Sequence, residues 1–283
     1  MFLWGFTAIL GKLITLSALD LVWWRMVLVV SALLLVPRVR RGLRGLSPRL
    51  ALSYAAAGAL IALHWLSFYA AVKLADASVA ATCLALAPVF LAFVEPRIAR
   101  RSFRPVELML GVVVVPGVAL VLGGIPARMH VGVLLGATSA LLVALFGAVN
   151  KRLSGRADAL TVTCLELGAG TLLLTVLALA RAHGGPLFPI PSAHDAGLLL
   201  VLSACCTLLP FALSLVALKH LTAYELQLVT NLESVYAITL ASLLLGERRE
   251  LGGTFYLGVS IVLGAVFAYP ALTRARVPVE SEP

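Results

Sequence analysis

The sequence predicts an all-α membrane protein: ten transmembrane helices in two inverted five-helix repeats. Three observations predict it. The chain of 283 residues is 61% hydrophobic and only 12% charged, whereas a soluble domain carries about 25% charged residues. Its apolar residues gather into ten runs, most of them close to the roughly 20 residues that cross a hydrocarbon core about 30 Å thick. Weak self-similarity links the two halves. A net charge of +9 would suggest nucleic acid in a soluble protein. Here the basic residues fall mostly in short loops between apolar runs, so they report membrane orientation and no nucleic-acid partner is expected.

The runs lie at about 2–16, 19–36, 50–72, 77–95, 105–123, 130–150, 159–181, 195–217, 222–245 and 251–270. They are continuously apolar rather than alternating, and longer than barrel strands, which argues against a β-barrel. The first, MFLWGFTAILGKLIT, has no basic leader and no convincing cleavage site, so it reads as a short genuine span rather than a signal peptide. The second carries Trp23 and Trp24, which fit an outer aromatic belt. Arg25 follows them. Snorkelling to the interface explains it adequately, and pairing with a substrate carboxylate is the alternative. Lys12 sits similarly near the outer end of the first span.

The third span holds His64, Trp65, Ser67, Phe68 and Tyr69. Trp65, Phe68 and Tyr69 share a face by helical spacing. That face offers stacking for an aromatic solute or a cation. Ordinary packing, or an interfacial position for Tyr69, is the competing explanation. His64 titrates within reach of physiological pH and is a candidate for proton coupling or a structural role. Pro88, Pro116 and Pro210 lie inside spans, where membrane helices use proline to kink. Glu166, about two turns into the seventh span, is expected to reach water without a special role. Cys83, Cys164, Cys205 and Cys206 all fall in apolar runs without C-x-x-C spacing or a histidine cluster, so they read as buried hydrophobes, with no disulfide and no metal.

The ninth span is the most polar. Tyr224, Gln227, Asn231 and Ser234 recur at i, i+3, i+7 and i+10, one helix face. They form either a pore-lining stripe or interhelical hydrogen bonds. Glu233 lies near mid-membrane, where an isolated carboxylate is expensive. It is a candidate ligand for a substrate ammonium, a proton carrier, or a structural acid. The matching face of the fourth span, Ser78, Ala81, Ala85 and Pro88, is small and apolar. One polar and one apolar wall suit an amphipathic solute.

Orientation follows from Lys and Arg. With the N-terminus inside, fifteen basic residues fall on the inner side, among them Arg38, Arg40, Arg41, Arg97 and Arg101, and five on the outer. Both termini are therefore expected in the cytoplasm. At an offset of 146, Lys73 meets Lys219, Leu86 meets Leu232, Val89 meets Val235 and Phe90 meets Tyr236. Gly111 and Gly117 meet Gly258 and Gly264 at 147, and Trp4-Gly5 resembles Phe146-Gly147. Residues 1–125 and 126–283 are the expected halves. Five helices per half is an odd number, so the halves must have opposite orientation, as in many secondary transporters.

These residues resemble a known family. Leu232-Glu233-Ser234-Val235-Tyr236-Ala237 running to Leu245-Gly246-Glu247 is similar to the ninth-helix signature of the drug/metabolite transporter (DMT) superfamily, EamA branch. That family typically shows Leu-Glu-Pro-Val there, then Leu-Gly-Glu. Pro88-Val89-Phe90, Trp4-Gly5 and Arg25 also fit. Ser234 replaces the usual proline, and Arg101 stands where the first half often has its glutamate. The resemblance implies a central cavity built mainly from helices 1, 3, 4, 6, 8 and 9 and alternating access. With the aromatic cluster of span 3 it resembles YddG-type exporters of aromatic amino acids.

The expected function is export of small organic metabolites, aromatic or hydrophobic amino acids first. A drug or other metabolite exporter, or a lipid scramblase or flippase, is the alternative. The residues expected to touch substrate are Trp65, Phe68, Tyr69, Pro88, Tyr224, Gln227, Asn231 and Ser234. The chain contains no G-x-x-x-x-G-K-[ST], H-E-x-x-H or G-x-S-x-G motif, so neither an ATP-driven pump nor an enzyme is expected. No cofactor is expected either. The expected partners are a small solute and the lipid bilayer of the inner membrane. Two halves in one chain can build the site, so a monomer suffices.

Overall fold

The computed structural model describes residues 2–99, 105–181, 187–247 and 251–274. Those residues are mostly helical, with no strand among them. Arg101, where the first half was expected to depart from the family glutamate, lies outside them.

Helix α1 is Phe2–Leu13 and α2 is Ala18–Leu34. Ser17 separates them as an N-cap, its side chain accepting from Asp20 N, which satisfies one of the helix's orphan amides. Pro37 then opens α3, Pro37–Arg44, bent 94° from α2. The Arg-rich stretch expected to be a loop is thus a short amphipathic helix. Val39 is buried while Arg38, Arg40, Arg41 and Arg44 stay exposed. Ser47 caps α4, Pro48–Leu74, through Leu50 N.

Three of the expected spans are broken. The fourth divides into α5 (Ala77–Leu84) and α6 (Ala87–Ala99). Pro88 explains the break, because it lacks the N–H that would bond Leu84 O and its ring crowds that carbonyl. The eighth is α10 (Ala193–Ser203), a π-helical turn at Ala204–Leu208, and α11 (Leu209–Ala217). Pro210 cannot bond Cys206 O, and the wide turn absorbs the mismatch. The ninth is α12 (Ala223–Thr230), a break at Asn231, α13 (Leu232–Leu240), then a π-turn over Ala241–Leu245. Unbroken helices α7 (Pro105–Gly123), α8 (His130–Leu153), α9 (Ala159–Arg181) and α14 (Gly253–Arg274) complete the chain.

Among the described residues, six helices or bent helices are long and apolar enough to cross a bilayer, or seven if α2 and α3 count as one span. Shorter apolar helices lie at Phe2–Leu13, Val113–Gly123 and Gly253–Ala265. The chain is a multi-pass membrane protein.

Packing is close. Helix α4 lies against both α8 and α9, and α1 against α13. Small residues allow it. A Cβ on Gly58 would stand 2.1 Å from Glu166 O, and one on Gly258 would stand 2.5 Å from Gly117 O, where α14 meets α7. Without a hydrophobic driving force between helices in lipid, such backbone approach supplies the dispersion contact that holds them. Glu247 does a different job. Its carboxylate accepts from Ala77 N and Ser78 N at 3.0 and 2.9 Å, capping α5 from another span. The cap position itself, Asp76, pairs with Lys12 at 2.6 Å instead.

Candidate functional site

Space of about 580 Å³, part of it open to solvent, lies between the helices at the centre of the bundle. Five aromatic side chains line its wall. Trp4 comes from α1, Trp65 and Phe68 from α4, Phe146 from α8 and Phe211 from α11. Trp65 and Phe211 meet edge to face, centroids 6.0 Å apart, and Phe146 lies 5.6 Å from Phe211. Ile61, Leu84 and Val143 fill the gaps. Thr7, His64, Ser214, Gln227, Thr230, Glu233 and Arg25 are its polar groups.

Arg25 shows how the sequence builds this chamber. Rather than snorkelling to an interface, it is fully buried, with 1% of its surface exposed. Its Nε donates to Thr207 Oγ1 at 2.5 Å, Nη1 to Tyr69 Oη at 2.8 Å, and Nη2 to Cys206 O at 3.3 Å. Cys206 O is the carbonyl that Pro210 leaves without its helical partner, so the proline prepares an acceptor for the guanidinium. The guanidinium carbon sits 3.9 Å from the Trp65 ring centroid, a cation–π contact worth about 2 kcal/mol when desolvated. A planar fork with several acceptors and a ring beneath it is what arginine supplies and lysine does not.

Glu233 faces the same cavity, within electrostatic reach of Arg25. The chamber thus carries one cation and one carboxylate between aromatic walls. His64 is held from α8. Its Nδ1 lies 2.9 Å from Ser139 O and 2.8 Å from Ser139 Oγ. A carbonyl only accepts, so Nδ1 carries the proton and Nε2 is the acceptor of the neutral ring.

Of the residues expected to touch substrate, Trp65, Phe68 and Gln227 line the cavity, together with His64 and Glu233. Tyr69, Tyr224, Pro88, Asn231 and Ser234 are buried but lie outside its lining. Tyr69 has no exposed surface and is not interfacial; it holds Arg25. Asn231 Nδ2 donates 3.0 Å to Ala85 O, a carbonyl at the break in span 4. That bond ties the two broken spans together. The break at Asn231 also turns the helix, so the cavity face of span 9 is Gln227, Thr230 and Glu233 rather than the predicted stripe. Trp4, Phe146 and Phe211 were not expected in the wall, and Arg25 was expected either at the outer interface or in a cavity. Trp4 and Phe146 were visible only as matching aromatic–glycine pairs.

A bundle of broken helices around a charge-bearing chamber defines a class, the polytopic helical transporters. A protein-family model described as the EamA-like transporter family matches residues 1–123 and 130–269. The chain belongs to that family, whose members are membrane transporters of small molecules and not in general enzymes. No curated protein matches the sequence. A solved structure titled "Crystal structure of protein" superposes with a TM-score of 0.67 at 17% identity, covering 99% of this chain and 95% of that one, and shows the shared fold.

Proposed function

We propose that the protein exports aromatic or hydrophobic amino acids from the cell across the inner membrane. The observation that carries this is the pairing of Arg25 and Glu233 on one aromatic-walled cavity. A free amino acid is a zwitterion. Its carboxylate suits the guanidinium, its ammonium suits the Glu233 carboxylate, and its side chain packs on Trp65, Phe68, Phe146 and Phe211. A phosphate-bearing solute would want more cations than the single guanidinium at this wall.

The same reading takes the chain as ten spans in two inverted halves, 1–125 and 126–283, with both termini cytoplasmic and a monomer sufficient. Three features support it. The family model matches two consecutive stretches. Span 1 packs on span 9 and span 6 on span 4, the exchange that a twofold axis makes. Asn231 and Ala85, joined by a hydrogen bond, are separated by the repeat offset of 146 residues. The halves would rock about this axis to expose the cavity alternately.

The test is flux. Proteoliposomes loaded with radiolabelled phenylalanine or tryptophan should release it in a protein-dependent manner, and cells overproducing the protein should resist toxic amino-acid analogues. No flux and no resistance would sink the substrate assignment. Accelerated flipping of labelled lipid in the same vesicles would point to a scramblase instead.

A further inference from the structure

A second buried charge stands apart from the central cavity. Glu166 in α9 has no exposed surface, contrary to the expectation that it reaches water. Both of its carboxyl oxygens lack a hydrogen-bond partner. The polar side chain facing it is Asn150 of α8, whose own Nδ2 is also unpartnered. Tyr54 of α4 lies within electrostatic reach. Asn150 and Tyr54 in turn line a smaller pocket of about 270 Å³, which Ser154 and Lys219 also border.

Among the described residues no cation pairs with this carboxyl. Of the elements packed on α9, α2 contributes Arg25, which faces the central cavity and donates to Tyr69, Thr207 and Cys206 O. Helix α3 contributes arginines that are exposed at the surface, and Arg38 pairs with Asp158. Helix α11 has no titratable side chain. Helix α4 contributes Tyr54, which is within electrostatic reach of Arg156, and its hydroxyl is committed to Leu153 O at 3.0 Å. An unpaired carboxylate in such a place costs several kcal/mol, whereas a neutral carboxylic acid does not carry that penalty.

We propose that Glu166 is an internal proton site of the transport cycle, a carboxyl that holds a proton in this conformation and exchanges it with water that enters from the small pocket past Asn150. The step is a simple transfer. The acid gives its proton to pocket water and is left as carboxylate, and it regains a proton when the helices return to this packing. On the α4 side, Gly58 lies against the Glu166 backbone. Separating α4 from α9 there would admit water to the carboxyl. A metal cation fits poorly, since it would need several converging oxygens and the carboxyl faces one amide. The inference rests on the family's transport activity and not on the identity of the solute.

Infrared difference spectroscopy on the purified full-length protein in lipid nanodiscs tests the proton directly. The wild type should show a C=O stretching band of a neutral carboxylic acid at neutral pH. Glu166→Gln should remove that band, while Glu233→Gln should leave it. An unchanged spectrum in Glu166→Gln overturns the proposal, as does a band that responds to sodium but not to pH. Asn150→Leu guards against a misfolded Glu166→Gln. It should keep the band but slow its shift on transfer to heavy water, and an unchanged exchange rate counts against the proposed route. In proteoliposomes with phenylalanine, a pH gradient should stimulate wild-type flux about tenfold, a typical coupling between sites, and Glu166→Gln should reduce that ratio to about one. A Glu166→Gln ratio equal to wild type would make Glu166 a structural acid. If wild-type protein moves no phenylalanine, the amino-acid assignment fails while the infrared result still decides the proton site.

Discussion

Arg25 and Glu166 are both fully buried ionisable groups in membrane helices, yet they are treated in opposite ways. In the proposed repeat each falls in the second span of its half. Arg25 has three hydrogen-bond acceptors and an aromatic ring beneath it. Glu166 has no hydrogen-bond partner at either oxygen. A group that must stay charged needs its partners built in, because an isolated ion in low dielectric is very costly. Arginine cannot shed its proton and therefore needs such a cage. A carboxyl can take up a proton, so a site without partners is tolerable when the group is neutral. The first region looks fixed for holding a solute, and the second is suited to changing state.

The largest expected effect tests the fixed region. Arg25→Met would strand Tyr69 Oη, Thr207 Oγ1 and Cys206 O in a closed interior. Each lost hydrogen bond to a charged group costs about 1.5–3 kcal/mol. Thermal unfolding in detergent should show a drop of several degrees, and amino-acid flux should vanish. Arg25→Lys should recover part of the stability and little of the flux, since one ammonium cannot serve the fork and the ring together. Equal flux in both variants would mean that the guanidinium only braces the wall.

A second effect reads the boundary of the switching region. Gly58→Ala places a methyl 2.1 Å from Glu166 O, against backbone that cannot swing away. Overpacking of this kind costs about 1–3 kcal/mol, and hydrogen exchange around Glu166 should speed up. Gly147→Ala is the control, because a Cβ there meets nothing within 4 Å. If both variants unfold alike, the close contact of α4 and α9 does not guard the carboxyl.

In the cavity, Glu233→Gln removes the carboxylate proposed to bind the substrate ammonium. Loss of a charge-assisted hydrogen bond of about 1.5–3 kcal/mol weakens binding roughly ten- to a hundredfold. Calorimetric titration should show that loss for phenylalanine and a much smaller one for a deaminated analogue of the same shape. A uniform loss for both would assign Glu233 to packing. Asn231→Leu is milder. It breaks one interhelical bond to Ala85 O, worth about 1 kcal/mol in a membrane protein, and a small drop in melting temperature should register it.

Much of the fold was legible because membrane spans obey one strong rule, the need to satisfy every backbone group within the segment. Pro88 and Pro210 flagged two of the three broken spans for the same reason. Asn231 gave no such signal, since an amide in mid-span looks like any polar lining residue. Its break shifted the cavity face from Asn231 and Ser234 to Thr230 and Glu233, which an unbroken helical periodicity cannot foresee. Arg25 was left between the outer interface and a cavity because its acceptors lie in spans 3 and 8, far off in sequence. Glu166 was harder still. Its isolation depends on a glycine more than a hundred residues earlier that lets α4 lie on its backbone. Trp65, Phe68 and Gln227 were legible because their helices run straight through those turns.

The smallest expected effect is the most informative about the contrast. Glu166→Met keeps a similar length and removes a carboxyl that has no hydrogen bond to lose. Replacing buried ionic groups with apolar ones of similar volume is often neutral or stabilising, so the two proteins should differ by less than about 1 kcal/mol at acid pH. The sign depends on the proton. If Glu166 is neutral in the folded protein, its unfolded counterpart ionises as pH rises, and wild-type stability falls relative to Glu166→Met. At acid pH both states hold the proton, and the two proteins should converge. Melting temperature followed across pH gives the comparison directly. A Glu166→Met variant as damaged as Arg25→Met, at every pH, would mean that Glu166 is a bonded charge like Arg25 and that the two regions do the same work.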